Sequence, residues 1–454
     1  MKTIMVTISR GYLIRNFFQS GIIGKLLNED CRVVVLSPNY DDPELFKDYQ
    51  HENLYLEPLI KSTKIRFQKL FRELFKGAAF NQTVHVRYRY RFTGATPNKL
   101  LYIPRMLFFA PLRIVPGFKK LIRFIEFKIN PQAEHDYLFE KHHPDLVFVT
   151  AAGGGDPDTG VLKSSRRFGV KSVIMPKSWD NLSKTLFAAK ADVMMLWSPF
   201  MRDQAIKFQD YKLDQILMTG VPQFDFYHRK ENLLSREEFC QQHNLDPNKK
   251  IILYGSTGGN CCEERQFVDL LNKFIQEDKL SNAQVLVRPH LGYVGDLERF
   301  EPCEKPGVCV VDRTDKQSNK FKDHWDVSIN HVNNLFNSLH HADVCVNMAS
   351  TLTLDATACN TPAINVNFDV DPNVDPNWST KRLYKSDYIG AATGTGGTWL
   401  TNSSAELLSA LKEILEENKR KDQGVKKLID YFVYKNDGQS SKRIVNYLVN
   451  LINI

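Results

Sequence analysis

Two segments of the sequence combine small residues with hydroxyl side chains, a pattern that is typical of phosphate binding. Gly255, Ser256 and Thr257 follow an apolar run, where small residues let the backbone approach a phosphate and hydroxyls donate hydrogen bonds to it. Ser350 and Thr351 precede a helical pattern, and would hold a phosphate at the positive end of that helix. The alternatives are an ordinary glycine turn for the first segment and an N-cap before a buried helix for the second.

Asp355 follows the second hydroxyl pair at a distance of four to five residues. On a helix this spacing returns to the same face, so the carboxylate would accept hydrogen bonds from ribose hydroxyls beside the bound phosphate. A hydroxyl cap and a carboxylate one turn later are together more specific than either part. This combination is the strongest motif of the chain and predicts a nucleotide site.

Arg288-Pro289-His290 follows another apolar run. An arginine at the carboxyl end of a strand would neutralise a diphosphate, and the histidine would do the same or protonate a leaving oxygen. The alternative is a surface cation pair beside a proline turn. The position after a strand favours the functional interpretation of Arg288 and His290.

Two aspartates in the first half of the chain are candidate general bases. Asp156 ends the glycine-rich stretch that begins at Ala151, and Asp180 lies in Lys177-Ser178-Trp179-Asp180-Asn181. A carboxylate within hydrogen-bond reach would deprotonate an acceptor hydroxyl, and Trp179 would stack on a sugar ring. A turn or cap role is an equally good interpretation of either aspartate.

The positive charge of the chain is concentrated between residues 61 and 128. This segment has 16 Lys and Arg against two acids, whereas the whole chain has 60 against 52, so the entire net excess of +8 lies here. Phe67, Phe71 and Phe75 recur every four residues among the cations, which predicts a helix with an apolar stripe for an anionic membrane surface or a polyanionic acceptor. An extended 85–91 stretch would align Arg87, Arg89 and Arg91 on one face.

The alternative for this segment is a solvated basic face whose phenylalanines enter the core. No nucleic-acid-binding motif accompanies the cations, so no nucleic-acid partner is expected. Asp369-Val370-Asp371 matches the Asp-x-Asp motif of metal-dependent sugar transferases. The surrounding prolines and asparagines indicate a turn instead, and no metal is assigned. The absence of Gly-x-Ser-x-Gly and His-Glu-x-x-His motifs disfavours hydrolases and metalloproteases.

The compartment is inferred from what the sequence lacks. The N-terminal apolar run is too short for a signal peptide and reads as a first strand, and prolines and arginines interrupt the apolar 100–118 stretch. The 8 cysteines have no zinc spacing, which indicates reduced thiols. We expect a cytoplasmic protein, peripheral at the inner membrane face.

Strand-like runs alternate with helical patterns in two series, which predicts an α/β protein with parallel sheets. The first series includes strands at 3–8, 32–37, 145–150, 171–175, 192–197 and 215–219, and the second includes strands at 251–254, 284–287, 308–311, 343–346 and 363–366. We expect a Rossmann-like domain at 1–226 with the basic insertion at about 61–128, a second one at 227–436, and a final helix at 437–454. Ligands would bind at the carboxyl ends of the strands.

These motifs, in this order, resemble those of a known group of enzymes. They are Lys177–Asn181, Thr219–Asp225, Val287–His290, the stretch from Ala342 through Ser350 to Asp355, and Asp437–Ile444. The chain is similar to the GT-B-fold glycosyltransferases that include bacterial CDP-glycerol glycerophosphotransferases and capsule or surface-polysaccharide transferases.

The resemblance implies two Rossmann-like domains facing a cleft, with the C-terminal helix crossing back to the first. It implies a nucleotide-linked donor held mainly by the second domain, an acceptor approaching the first, and no obligatory metal or cofactor. By that likeness Ser350 and Thr351 would bind the diphosphate and Asp355 the ribose. Glycerophosphotransferases use paired histidines and only His290 fits a matching motif here, so sugar transfer ranks above polyol-phosphate transfer.

We therefore expect a glycosyltransferase that moves a sugar from a nucleotide donor to a cell-surface glycan or a lipid-linked acceptor. Asp156 or Asp180 would deprotonate the acceptor, while Arg288, His290 and the Ser350 helix terminus stabilise the departing diphosphate. A nucleotide-sugar 2-epimerase of the same fold is one alternative, and would release its product without an acceptor. A non-catalytic glycan- or lipid-binding protein is another, in which Asp355→Ala and His290→Ala would leave binding intact.

Overall fold

The structure is a computed structural model that describes residues 1–62, 65–90, 99–151, 156–261 and 264–453. Its contacts divide the chain into two compact units. The first contains Met1–Tyr88, Asn98–Asp225 and Asp437–Ile454, and the second contains Arg89–Pro97 and Phe226–Asn436. Each unit is built on one parallel sheet, which confirms the predicted α/β class with two Rossmann-like domains.

The sheet of the first unit has seven strands in the order β3-β2-β1-β4-β5-β6-β7. Most of its strand residues are buried apolar side chains, because helices cover both faces of a parallel sheet. The order in which the strands are added reverses between β1 and β4, and ligands of such a sheet bind at the carboxyl ends of the strands at this point. The strands are β1 (Lys2–Thr7), β2 (Cys31–Ser37), β3 (Leu54–Pro58), β4 (Leu146–Val149), β5 (Lys171–Ile174), β6 (Val193–Leu196) and β7 (Ile216–Met218).

Eleven described α-helices lie between Met1 and Asp225. The residues after β1 do not form one continuous α-helix, since a π-helical turn at Arg15–Gln19 and a left-handed Gly21 separate two short helices. The helices are α1 (Tyr12–Ile14), α2 (Ile22–Asn28), α3 (Pro43–Phe46), α4 (Gln68–Ala78), α5 (Gln82–Arg89), α6 (Tyr102–Phe109), α7 (Phe118–Ile129), α8 (Asp136–His142), α9 (Pro157–Phe168), α10 (Asn181–Lys184) and α11 (Pro199–Gln209).

The second unit repeats the same architecture with six strands, in the order β10-β9-β8-β11-β12-β13. Alternate residues of β8 enter two separate cores, Ile252 and Tyr254 on one face and Ile251 and Leu253 on the other. The strand order reverses between β8 and β11. The strands are β8 (Lys250–Gly255), β9 (Ala283–Arg288), β10 (Cys309–Val311), β11 (Val344–Asn347), β12 (Ala363–Val366) and β13 (Trp399–Thr401).

The second unit has two helices near its C-terminal end, α18 and α19, which a short break separates. Phe239 of α12 is fully buried, so the polar stretch at 227–250 is an integral part of this unit. The helices are α12 (Arg236–Gln242), α13 (Arg265–Gln276), α14 (Asp296–Phe300), α15 (Ile329–His341), α16 (Leu352–Ala358), α17 (Asp387–Thr393), α18 (Ser404–Leu415) and α19 (Asp422–Phe432).

The C-terminal helix α20 (Ser440–Ile452) returns to the first unit, as predicted. Its N-terminus is held by the buried Asp225, whose carboxylate accepts hydrogen bonds from the backbone N–H groups of Ser440 (2.9 Å) and Ser441 (2.7 Å). A carboxylate at this end satisfies two otherwise unpaired donors and complements the helix dipole.

The described parts of the basic segment contain helices and no strand, and α5 corrects the extended interpretation of 85–91. Val84, Val86 and Tyr88 of α5 are buried, while Arg87 and Arg89 are exposed. Arg91 lies outside the described residues. On α4 the phenylalanine stripe is divided, since Phe71 and Phe75 enter a core with Ile122 of α7 while Phe67 is 66% exposed.

Candidate functional site

The loop after β8 carries the first predicted phosphate segment. Ser256 and Thr257 are buried, and both hydroxyls donate to the carboxylate of Glu264 at 3.2 Å. The backbone N–H of Thr257 donates to the same carboxylate at 2.8 Å. The two hydroxyls predicted to bind phosphate are thus engaged by a side chain that the sequence analysis did not single out.

Glu264 is fully buried immediately before α13. Burial raises its pKa to about 7, against the opposing effect of Arg299, whose guanidinium lies 2.7 Å from a carboxylate oxygen. Arg299 also donates to Ser256 Oγ at 2.9 Å. The sequence does contain a sign of this role, because Glu264 follows a glycine-rich loop closely. An acid at that position can accept hydrogen bonds from the loop and hold it in place.

Gly255, the last residue of β8, allows the start of α16 to pack closely against the end of this strand. A Cβ on this residue would lie 2.1 Å from Cδ2 of Leu352, the first residue of α16. Only glycine therefore fits here without displacing Leu352. The predicted Gly255 turn and the predicted Ser350 cap are neighbours at the switch point of the sheet, which is where doubly wound sheets bind nucleotides.

Ser350 and Thr351 immediately precede α16. Ser350 Oγ accepts from the N–H of Leu352 at 3.2 Å, and Thr351 is exposed at the N-cap position. Asp355 is 8% exposed and its carboxylate accepts from the hydroxyl of Tyr227 at 2.6 Å. The predicted ribose acceptor is therefore also a protein-bound carboxylate.

Arg288 ends β9 inside an ionic network. Its guanidinium donates to Asp312 at 3.2 Å and to Asp315, and it lies 3.2 Å from Nδ1 of His331. Burial alone would raise the pKa of Asp315, but Arg288 and His331 lower that pKa to about 2. The positive charge of Arg288 is thus already matched by protein carboxylates.

His290 lines a cavity of about 350 Å³ with Asp296 and Asp315. Burial lowers the pKa of its imidazole, and within the described part of the chain Nδ1 has no hydrogen-bond partner. The backbone N–H of His290 donates to Asp296 at 2.6 Å, which fixes the loop. A neutral imidazole at pH 7 suits accepting a proton or donating one hydrogen bond, rather than acting as a preformed acid.

A second histidine lies close to this site. Trp325 contacts His290 edge-on, with ring centroids 6.2 Å apart, and contacts His331 of α15 in the same way at 5.2 Å. His331 is 3% exposed and its Nδ1 lies 3.0 Å from Asp315. The sequence around His331 has no motif, so only the folded arrangement reveals it.

In the first unit the two candidate bases differ in their surroundings. Asp180 accepts from Ser178 at 3.0 Å and forms an ion pair with Lys184 at 2.5 Å. Burial would raise its pKa, but Lys184, Ser178 and Arg87 hold that pKa below its usual value. Asp156 is the N-cap residue of α9 and lies 4.0 Å from Nζ of Lys177. It lines a cavity of about 330 Å³.

The stacking role predicted for Trp179 was wrong. Its indole is 3% exposed and packs edge-on against Trp197 with ring centroids 4.7 Å apart. Trp179 is therefore a core residue. The apolar side chains of strand exits enter the core as readily as those of the strands, and sequence spacing does not distinguish the two cases.

The Asp369–Asp371 segment braces a turn. Asp369 accepts from the hydroxyl of Ser379 at 2.6 Å and the N–H of Thr380 at 2.7 Å, while Asp371 accepts from the N–H of Asn373 at 2.8 Å. Among the residues that the structure describes, no group of three or more His, Cys, Asp or Glu side chains could hold a metal ion.

These two Rossmann-order units, with polar strand exits in each, have the architecture of the GT-B fold. The chain belongs to the CDP-glycerol:poly(glycerophosphate) glycerophosphotransferase family, whose model matches residues 183–450, more than half of the sequence. It is accordingly a transferase that uses a nucleotide-activated sugar or polyol phosphate in the synthesis of a cell-envelope polymer. This confirms the family resemblance and the enzyme class predicted from the motifs.

Solved structures share the fold at low sequence identity. UDP-GlcNAc 2-epimerase from Methanocaldococcus jannaschii matches with a TM-score of 0.54 and 11% identity, covering 99% of this chain and 100% of its own. The Neisseria meningitidis UDP-GlcNAc 2-epimerase bound to UDP-GlcNAc matches with a TM-score of 0.52 and 11% identity, covering 99% of this chain and 100% of its own. A glycosyltransferase from Rickettsia africae matches with a TM-score of 0.52 and 10% identity, covering 99% of this chain and 98% of its own. A search of curated proteins finds no match to the chain.

Within the described ranges, no helix combines the length and the apolar character that crossing a bilayer requires. Six of the seven cysteines of the described residues are buried.

Proposed function

We propose that this enzyme transfers a polyol phosphate from a CDP-linked donor, bound by the second unit, to a lipid-linked or glycan acceptor bound by the first. The observation that carries this proposal is a pair of histidines at the end of β9, where His290 lines the cavity and His331 contacts Asp315 of the cavity lining. The family match supports the same donor class. Sugar transfer was ranked first because only His290 fits a matching motif, and the second histidine, His331, supports polyol-phosphate transfer by its place near His290 and not by a motif.

The proposed reaction is an in-line displacement at phosphorus. An acceptor hydroxyl oxygen attacks the phosphorus that carries the polyol and forms a new P–O bond, while the P–O bond to CMP breaks. The hydroxyl proton passes to a carboxylate, and the charge that develops on the leaving phosphate is stabilised by hydrogen-bond donors of the second unit. His290 is one donor, and Ser350 and Thr351 at α16 are the others.

We assign the base to Asp156 rather than Asp180. Asp156 lines an open cavity, whereas Asp180 is held by Lys184 and Ser178 and its pKa is lowered. A carboxylate in a close ion pair is a weaker proton acceptor, because protonation would break that pair.

A donor screen tests this function. Thermal shifts of the purified chain with CDP-glycerol and with UDP-, CMP- and GDP-linked sugars should show the largest rise for CDP-glycerol. A ligand at a hundred times its Kd adds about 2.7 kcal/mol to the free energy of unfolding. His290→Asn should weaken that rise, and His340→Asn, on the exposed end of α15, serves as the matched control.

Product analysis separates the two transferase chemistries. Polyol-phosphate transfer releases CMP, whereas sugar transfer releases a nucleoside diphosphate. A stabilising UDP-sugar with acceptor-dependent UDP release would replace our proposal by sugar transfer, and release of an epimer without acceptor would replace it by epimerisation.

We further propose that α6 and α7 contact an anionic membrane surface. The amphipathic pattern of α7 supports this, because Arg123 and Glu126 are buried while Leu121, Phe124 and Ile125 are 55%, 54% and 40% exposed. An exposed apolar patch of this kind marks a contact with lipid or protein. The apolar face comprises Leu100, Ile103, Leu107, Phe108, Ile114, Leu121, Phe124 and Ile125, which are between 40% and 87% exposed.

The charge around the apolar face favours an anionic bilayer as its partner. The two acids of residues 61–128 are Glu73, whose side chain is 15% exposed, and the buried Glu126, so the exterior of the segment is cationic. Cations beside exposed apolar side chains suit the headgroup and acyl layers of such a surface.

Vesicle sedimentation tests this contact. The chain should bind phosphatidylglycerol vesicles and bind phosphatidylcholine vesicles weakly. Leu107→Ser with Phe108→Ser should abolish most binding, while Leu213→Ser, which changes a 68% exposed leucine of the first unit outside the face, should not. Equal binding of all variants would reject the surface.

A further inference from the structure

The second cavity of interest lies within the first unit, between α4, α5 and α10. We propose that it binds a phosphoryl group of the acceptor, a site that rests on the transferase function proposed above. The cavity measures about 330 Å³, and its lining includes Arg72, Lys76, Arg87 and Lys184 together with the candidate base Asp156.

The charge of this cavity is positive after its ion pairs are counted. Arg72 and Lys76 share one carboxylate, Glu73, at 3.7 Å and 3.4 Å, and Arg105 contacts the same carboxylate at 3.4 Å. Three cations around one carboxylate leave an excess of positive charge. Phosphate is a suitable partner because its several oxygens can accept from more than one cation.

The two acidic groups in the lining, Glu126 and the candidate base Asp156, do not offset this excess, because the lining has four cations and Asp156 also lies 4.0 Å from Nζ of Lys177. Glu126 is buried with Lys163, whose Nζ lies 2.8 Å from its carboxylate. The pair is neutral as a whole and forms part of the cavity wall. Lys184 in turn faces Asp180 at 2.5 Å, and Arg87 acts electrostatically on the same aspartate.

Lys76 supports an anion at this position independently. Burial lowers the pKa of its ammonium, in opposition to the attraction of Glu73. A partly desolvated ammonium gains more from a bound anion than an exposed one does, because less solvent screens the interaction.

One wall of the cavity is apolar. Phe71 and Phe75 of α4, which are 6% and 2% exposed, line it together with Ile65. A phosphate attached to a hydrocarbon would fit cations on one side and these side chains on the other. A phosphate of a polyol chain has the same anionic group without the apolar part, so the two sources are distinguishable.

Binding of small phosphates to the full chain, without donor, tests the site. Calorimetry would compare geranyl phosphate, glycerol 1-phosphate and the uncharged geraniol. We expect geranyl phosphate to bind, and Lys76→Gln and Arg87→Gln each to raise its Kd about tenfold. Arg87→Lys should retain most of the affinity. Lys69→Gln, an exposed cation of the same helix outside the cavity, should bind as the unaltered chain does.

Each outcome has a definite meaning. Tighter binding of geranyl phosphate than of glycerol 1-phosphate supports the site with a lipid phosphate as ligand, and equal or reversed affinities with the same variant effects support it with a polyol phosphate. The site is overturned if geraniol competes as well as the phosphates, or if Lys76→Gln and Arg87→Gln, with unchanged Tm, bind normally. Nucleotide binding without phosphate binding rejects this site alone, whereas the reverse result rejects the proposed donor function alone.

Discussion

The loop after β8 in the second unit and the α4–α5–α10 cavity in the first use polar groups in opposite ways. Around β8, the hydroxyls of Ser256 and Thr257 are directed to the buried carboxylate of Glu264. In the cavity of the first unit, Arg72 and Arg87 are exposed and Lys76 shares its one ion-pair carboxylate with Arg72.

This difference separates two kinds of candidate residue. A buried polar group must be paired by the protein, so its pairing reveals how the loop is held and gives no measure of ligand contact. Two cations that share one carboxylate, as Arg72 and Lys76 share Glu73, can contact an anionic ligand while they keep that carboxylate. The predictions below distinguish these two situations, from the largest expected effect to the smallest.

The largest effect is expected at the base. Asp156→Asn should lower the transfer rate by about 10²–10⁴-fold, because general-base catalysis contributes that much, while Tm is retained. Single-turnover release of nucleotide measures the rate. Asp180→Asn should have the smaller effect, since its carboxylate is committed to Lys184. The reverse order would assign the base to Asp180.

The wall of the cavity should depend on its buried ion pair. Lys163→Met leaves Glu126 buried without its cation and should cost about 3–5 kcal/mol of unfolding free energy, measured by urea denaturation. Lys69→Met, on an exposed position, should change stability by less than about 0.5 kcal/mol. A small effect of Lys163→Met would show that the wall is not maintained by this pair.

Glu264 predicts a pH dependence in the second unit. Its pKa rises from 4.5 to about 7 on folding, so the folded chain retains a proton that the unfolded chain has lost. The contribution of this group to stability therefore falls as pH rises from 4.5 to 7, by on the order of 3 kcal/mol, and is constant above that.

The Glu264→Gln variant isolates this contribution. The difference in unfolding free energy between the unaltered chain and the variant should decline across pH 5–7 and then level off. A difference that is independent of pH would mean that Glu264 ionises normally in the folded chain.

The smallest effect concerns the predicted ribose carboxylate. Tyr227→Phe removes the 2.6 Å hydrogen bond to Asp355 and should cost about 1–2 kcal/mol of stability. If Asp355 binds ribose, releasing it from Tyr227 should tighten nucleotide binding in a titration. Unchanged affinity would leave Asp355 as a structural partner of Tyr227.

The sequence predicted the architecture well because parallel strands leave a strong pattern. Runs such as Ile251–Leu253 are buried on both faces and read as continuous apolar stretches, and the glycine and hydroxyl residues that follow them mark strand exits. The short β3 and β13 were not predicted, because each is interrupted by an exposed residue, Tyr55 and Leu400, which are 39% and 37% exposed.

The candidate residues were identified by position, but their surroundings were not. Spacing indicated Asp156, Asp180, His290 and Asp355, whereas the carboxylate that engages the β8 loop and the histidine beside His290 come from elsewhere in the chain. The stripe of Phe67, Phe71 and Phe75 is one periodic pattern that the fold divides between solvent and core.

The sequence by itself determined the α/β class, the two series of strands, the family and the location of the positive charge. These properties depend on local composition and on periodicity, and both can be read directly from the sequence. Only the tertiary structure decided which polar groups are already paired, since Glu264 with Ser256, Tyr227 with Asp355 and Arg288 with Asp315 join residues 8 to 128 positions apart. The last two of these pairings follow from the packing of whole elements, and no short segment contains them.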